Sequence, residues 1–243
     1  SFNKQYENKI ISNDKFFKNF KYLIQQINFF KKDVKSGQGF KILSLPPDIN
    51  YSDLQFYFWI IINLLGEPLI QNKEGDRLVY VYDRDRYKTI SDGARYHQTH
   101  EGGSIHTDNV NIPEKWNYLL VCCFEPAITG GESIIVNGIK VYEYLLNNSE
   151  DVIETLCNNF FWEYRGISDN LYEAPIITFD ENNRPVLRYL RTYLESAHIK
   201  ANKKLNEKQL YALDTLDAVL NMSNHCFRIK LNKGDIMLIN DET

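Results

Sequence analysis

Hydrophobic positions along the chain change period several times. From residue 13 to 34, Phe16, Phe17, Phe20, Leu23, Ile24, Ile27 and Phe30 recur at three- and four-residue steps. That spacing predicts an amphipathic helix closed near Gly37. A short strand over Phe40–Leu45 and a Pro46-Pro47 stop follow, then a second helix capped by Ser52 and ended near Gly66. Between Arg77 and Asp83, Leu78, Tyr80 and Tyr82 alternate with Val79 and Val81, a period of two that predicts a strand. Strand signals then accumulate at Tyr118–Phe124, Ser133–Val136, Phe160–Tyr164, Val186–Leu190, Cys226–Leu231 and Ile236–Ile239. Helical stretches interrupt them near Val141–Leu146, Asp151–Cys157 and Glu207–Met222. Strands do not alternate regularly with helices, so the pattern predicts an α+β, β-rich sandwich or jelly roll rather than a parallel sheet.

Composition narrows the class. The chain has 243 residues, 43% of them hydrophobic, enough for one core, and the expectation is a single domain over residues 1–243. A net charge of -4 without a long basic run gives no footprint for a phosphate backbone, so nucleic acid is not an expected partner. Cys122, Cys123, Cys157 and Cys226 form no C-x-x-C pair, which suits a reducing cytoplasm. The longest apolar run, Phe56–Leu65, is too short to cross a bilayer and contains Asn63, and the N-terminus lacks a signal-peptide layout. No membrane partner is expected. The chain starts at Ser1 and stops at Thr243 directly after a strand-like run, so trimmed ends are expected.

Candidate chemistry concentrates in Gly102-Gly103-Ser104-Ile105-His106-Thr107-Asp108. Two residues apart on an extended segment, His106 and Asp108 project to one side and offer an imidazole nitrogen and a carboxylate oxygen to one metal ion. A second His would complete the two-His, one-carboxylate triad that leaves positions open on iron(II). Taken alone the pair reads equally as a hydrogen-bonded surface turn.

Four motifs in order add context: "EGGSIHTDN", "YLLVCCFEPAITGGESIIVNG", "VLRYLRTYLESA" and "KGDIMLIND". Together they resemble the taurine dioxygenase and clavaminate synthase-like family of Fe(II), 2-oxoglutarate-dependent oxygenases, from about Gly39 onward. The resemblance implies a double-stranded β-helix (jelly roll, cupin-like) core with flanking helices. It implies Fe(II), 2-oxoglutarate as co-substrate and O2, with release of succinate and CO2. His106 and Asp108 match the proximal metal ligands, and Ser133 matches the Thr or Ser whose hydroxyl helps hold a 2-oxoglutarate carboxylate. The distal His is expected about three residues past Thr243, and the Arg that pairs with 2-oxoglutarate later still. Halogenating members replace the acid with Ala or Gly, so Asp108 favours hydroxylation or desaturation of a small amino-acid-like or acidic metabolite.

Substrate contacts are expected from the polar loop before the triad, Arg95, His97 and His100, and from Arg188, Tyr189 and Arg191 in a strand-like segment whose guanidinium groups would grip an anionic substrate, although alternation puts Arg188 and Tyr189 on opposite faces. Trp116 and Asn111 are assigned to packing and loop geometry, and His198 and His225 to ordinary surface or strand positions. The competing expectation is a metal-free jelly-roll binding or scaffold protein that has lost catalysis. A cupin-type hydrolase or isomerase is a third reading that leaves Ser133 and its turn without a task.

Overall fold

The computed structural model describes residues 21–71, 75–84, 87, 100, 102–108, 110, 112–113, 116–164 and 168–242. The chain divides into two compact units, one of residues 1–31 and 50–104, the other of residues 32–49 and 105–243. Arg95, His97 and Asn111 lie outside the described residues, as do Phe16, Phe17 and Phe20.

Helix α1 (Lys21–Ser36) carries the three- and four-residue apolar spacing. In the first unit, α2 (Tyr51–Leu65) buries Leu54, Phe58, Trp59, Ile60, Ile61, Ile62 and Leu65. Its cap is Asn50, not Ser52. Asn50 has extended backbone angles and its side-chain oxygen accepts the Asp53 amide at 2.9 Å, while Ser52 is already inside the first turn. Lys31 Nζ donates to the Leu65 carbonyl at 2.9 Å and satisfies one of the helix's last acceptors.

The alternating run from Arg77 to Asp83 forms no strand, and Val79, Tyr80, Val81 and Tyr82 are all exposed. A period of two yields a strand only where a neighbouring edge takes up its amides. Here Tyr80 is held otherwise: its hydroxyl meets Gln55 Nε2 and its carbonyl accepts from Arg84 Nη2 at 2.6 Å.

In the second unit, β1 (Phe40–Ser44), β2 (Leu119–Cys122) and β9 (Asp235–Ile239) form an antiparallel sheet with β9 in the middle. Phe40 and Leu119 both face Ile239 across it. A central strand has both edges paired, and because the successive residues Ile236, Met237 and Leu238 are all buried, both faces of β9 are covered as well. Gly234 enters β9 with a φ of 91°, and a Cβ there would lie 2.9 Å from the Leu45 carbonyl oxygen. Only glycine suits that approach.

Three two-stranded antiparallel sheets complete the described pairings. β3 (Ser133–Val136) pairs with β8 (Cys226–Ile229), and β4 (Asn159–Glu163) with β5 (Leu171–Pro175). β6 (Ile177–Phe179) pairs with β7 (Pro185–Leu187). Helices α3 (Gly138–Asn148), α4 (Glu150–Leu156) and α6 (Glu207–Leu220) bury Val141, Leu145, Val152, Leu156, Leu213 and Leu216. The strand expected at residues 186–190 ends at Leu187, and Arg191 opens helix α5 (Arg191–Lys200).

His198 and His225 are buried, contrary to their expected surface or strand placement. His198 Nε2 accepts the Phe161 amide at 3.1 Å, so Nδ1 carries the proton toward the Lys203 carbonyl at 2.9 Å. Both ring nitrogens serve the fold. No helix among the described residues is long and apolar enough to cross a membrane.

Candidate metal centre

Three segments of the second unit meet around His106 and Asp108. The first bears the pair itself and lies in no regular strand. Thr107 between them binds Tyr189 twice: its amide donates to the Tyr189 carbonyl at 2.8 Å, and its Oγ1 accepts the Tyr189 amide at 2.9 Å. With Thr107 fixed, the residues on either side turn the same way. His106 Nε2 and Asp108 Oδ1 approach to 3.2 Å. Two donors bound cis to one ion at roughly 2.1 Å lie about 3 Å apart, so the pair has the edge length of a metal coordination shell. Both side chains keep part of their surface open, 26% for His106 and 43% for Asp108. An imidazole nitrogen and a carboxylate oxygen so placed fit iron(II).

The third segment follows β9. Asp241 Oδ2 accepts the Asp108 amide at 2.9 Å and the Trp116 indole N–H at 3.3 Å, and the Leu187 amide donates to the Glu242 carbonyl at 3.1 Å. Burial, followed by the Asp108 charge, pushes the Asp241 carboxyl up to about 7 against the pull of its two hydrogen-bond donors and His106. Trp116 thus serves loop geometry. Among the described residues no three His, Cys, Asp or Glu side chains are grouped to hold a metal. Asp241 therefore does not stand as a third ligand.

Arg188 and Tyr172 hold the chain immediately downstream. Tyr172 donates to the Val110 carbonyl at 2.9 Å, Arg188 Nη1 to Ile112 at 2.7 Å and Nη2 to Pro113 at 2.7 Å. Arg188 is 4% exposed, and its guanidinium also contacts the Tyr172 hydroxyl and ring. Arg191 binds Glu195 at 2.6 Å, Asp214 at 2.9 Å and Asp217 at 3.1 Å, and Asp217 also receives the Tyr189 hydroxyl at 2.6 Å. An acid reaching either arginine would have to displace partners already in place.

Ser133 is the first residue of β3, opposite Ile229 and half-buried. Gly130 and Gly131 precede it with φ values of 71° and 75°, and a Cβ on Gly131 would lie 2.9 Å from that of Ala127. The G-G-E-S stretch is thus a turn whose backbone suits glycine and which delivers Ser133 to the strand. In the first unit, His100 Nδ1 stands 3.5 Å from Asp83 Oδ2.

The sequence itself supplies the remaining context. Residues 59–241 match the taurine catabolism dioxygenase TauD, TfdA family. The chain belongs to this family. The FR-33289 synthase of Streptomyces rubellomurinus (strain ATCC 31215) is 25% identical over 216 residues, which span 86% of this TauD-family chain and 62% of that relative. In structure the chain resembles asparagine oxygenase solved with Fe(II), 2S,3S-3-hydroxyasparagine and succinate, with a TM-score of 0.66 and 16% identity. That likeness covers 91% of this chain and 71% of the other. It also resembles the non-heme iron oxygenase OrfP solved with Fe, succinate and (3S)-hydroxy-L-Arg, at a TM-score of 0.60 and 13% identity, over 90% and 71% of the two chains. These likenesses show a shared fold.

Asp241 and Tyr172 carry site geometry that the sequence alone does not single out, and Tyr189, expected beside Arg188 and Arg191, binds Thr107 and Asp217. The one signal for Asp241 is its place: a carboxylate two residues beyond the apolar run Ile236–Ile239.

Proposed function

We propose that this protein is an Fe(II)/2-oxoglutarate-dependent oxygenase that hydroxylates, or desaturates, a small amino-acid-like or acidic metabolite with release of succinate and CO2. The approach of His106 Nε2 to Asp108 Oδ1 at 3.2 Å carries the reading, because it matches one edge of a metal shell in a chain of this family. The iron and 2-oxoglutarate, when bound, supply the oxidising power drawn from O2. His106 and Asp108 hold the ion, and the third ligand is a His following Thr243. Thr107 and Tyr189 fix the angle between the two proximal ligands. Ser133 presents its hydroxyl to a 2-oxoglutarate carboxylate.

Two relatives by structure were solved with hydroxylated amino acids, hydroxyasparagine and hydroxyarginine, which supports a free amino acid or a close analogue as substrate class. We place substrate contact on Arg95, His97 and His100 ahead of Arg188 and Arg191, whose donors are engaged inside the protein. The family match runs from residue 59 to 241 and so spans both compact units, which supports one catalytic domain with a double-stranded β-helix core. A cytoplasmic site of action fits its free cysteines.

The test uses the full-length protein without oxygen. Adding Fe(II) and 2-oxoglutarate should produce a weak visible charge-transfer band, and admitting oxygen should release succinate. If neither appears, the metal-free scaffold reading replaces this one.

A further inference from the structure

The least expected contact in the centre is that of Asp241 with the backbone of a proposed ligand 133 positions away in sequence. Each of the three consecutive donors and acceptors around the metal pair is taken by another segment. Thr107 N and Oγ1 go to Tyr189, and Asp108 N goes to Asp241 Oδ2 at 2.9 Å. The peptide planes on the two sides of Thr107 are therefore each held by another segment, and with them the direction of the Asp108 Cα–Cβ bond. The Trp116 indole N–H, at 3.3 Å from the same Oδ2, keeps the carboxylate from rotating away. Val110 N closes the turn on the Asp108 carbonyl at 3.0 Å.

We propose that Asp241 is a positioning residue that clips the His106–Asp108 segment to the end of β9. It sits two residues after β9, the central strand of its sheet, and next to Glu242, whose carbonyl receives Leu187 N. The inference rests on the reading of His106 and Asp108 as ligands and of a following His as the third. Under that reading the clip sets the register between the two ligand-bearing segments before any ion arrives. Preorganised ligands lose less freedom on binding, so the clip raises metal affinity without touching the ion.

A plain packing residue would tolerate any side chain of similar size. A clip requires an acceptor at one place. Asp241→Asn keeps such an acceptor, Asp241→Glu keeps the charge but moves the acceptor by a methylene, and Asp241→Ala removes it. Full-length protein carrying each change is titrated with Co(II), reading both affinity and the visible ligand-field spectrum, with circular dichroism to confirm folding. Asp241→Asn should bind within about threefold of the unchanged protein with the same spectrum. Asp241→Ala and Asp241→Glu should each bind about tenfold more weakly or worse, the size of one hydrogen bond to a charged acceptor, with altered band intensities. If Asp241→Ala does not fold, the Glu and Asn pair decides by itself. Native affinity and spectrum in Asp241→Glu would overturn the clip. Asp108→Ala serves as the separate control: Co(II) bound unchanged in that variant would overturn the ligand assignment instead.

Discussion

Ser133 heads β3 with its side chain half-buried after a turn that two glycines make possible, a placement that serves equally a strand start and a ligand for an acid. The two roles separate on substitution. If the hydroxyl donates to a 2-oxoglutarate carboxylate, Ser133→Ala should weaken co-substrate binding by roughly ten- to a hundredfold while leaving metal affinity almost unchanged. Ser104→Ala should have a much smaller effect, and titration of 2-oxoglutarate against both variants checks the difference. Native co-substrate affinity in Ser133→Ala would remove it from the site. What sequence revealed at this scale follows the distance between partners. His106 and Asp108 are two residues apart, so their spacing alone brings both to one side. Asp241 and Tyr189 act on residues 107–108 from 133 and 82 positions away, and nothing local signals such a contact. Arg188 shows the converse case. Its charge suggests an anion, yet its terminal nitrogens serve the carbonyls of Ile112 and Pro113, because a buried guanidinium needs several acceptors at once and backbone carbonyls supply them.

Among elements, a helix is legible in sequence where its period and cap are local, as in α6, but the α2 cap falls on Asn50 rather than Ser52 and α5 lies where no helical stretch is expected. Helix α6 is fixed by a capping box in which the Asn206 side chain accepts the Gln209 amide at 2.9 Å and the Gln209 side chain accepts the Asn206 amide at 3.0 Å. Asn206→Ala leaves one donor of the first turn unpaired and should lower stability by about 1 kcal/mol. Urea denaturation monitored by circular dichroism would measure it, and an unchanged midpoint would show that the cap carries no net stability. Strands depend on neighbours that the sequence does not display. The Leu78–Tyr82 alternation has the right residues and no described strand, whereas β5 and β6 form from Leu171–Pro175 and Ile177–Phe179 without a clean alternation, since β4 and β7 supply their edges. The strand signal over Val186–Leu190 runs three residues past the end of β7, through Arg188, Tyr189 and Leu190. The ladder stops at Leu187, Tyr189 turns to Thr107, and the chain coils into α5.

At the scale of the whole molecule, two compact units carry different parts of the proposed chemistry, and metal binding should distinguish them. Both proposed ligands, the Thr107–Tyr189 bridge and Asp241 belong to the second unit, residues 32–49 and 105–243. A ligand that binds only the folded state stabilises it by mass action, by about 2.7 kcal/mol at a hundredfold excess over its Kd. For a chain of this size that corresponds to roughly 5–11 °C in Tm. Saturating the full-length protein with Co(II) under anaerobic conditions should therefore raise Tm by an amount in that range, and chelation should reverse it. The stabilisation should also be local. Hydrogen exchange should slow at residues 105–113, which carry the pair, and at 235–242, whose Asp241 carboxylate accepts the Asp108 amide, and should change little across α2, whose backbone hydrogen bonds are those of the helix itself. Asp108→Ala should lose both the Tm shift and the local protection while keeping its metal-free Tm within a few degrees, because the side chain is 43% exposed and supports no core. Equal slowing across both units would mean that the ion acts by general stabilisation of the folded chain. Slowing confined to residues 105–113 and 235–242 would place it between His106 and Asp108.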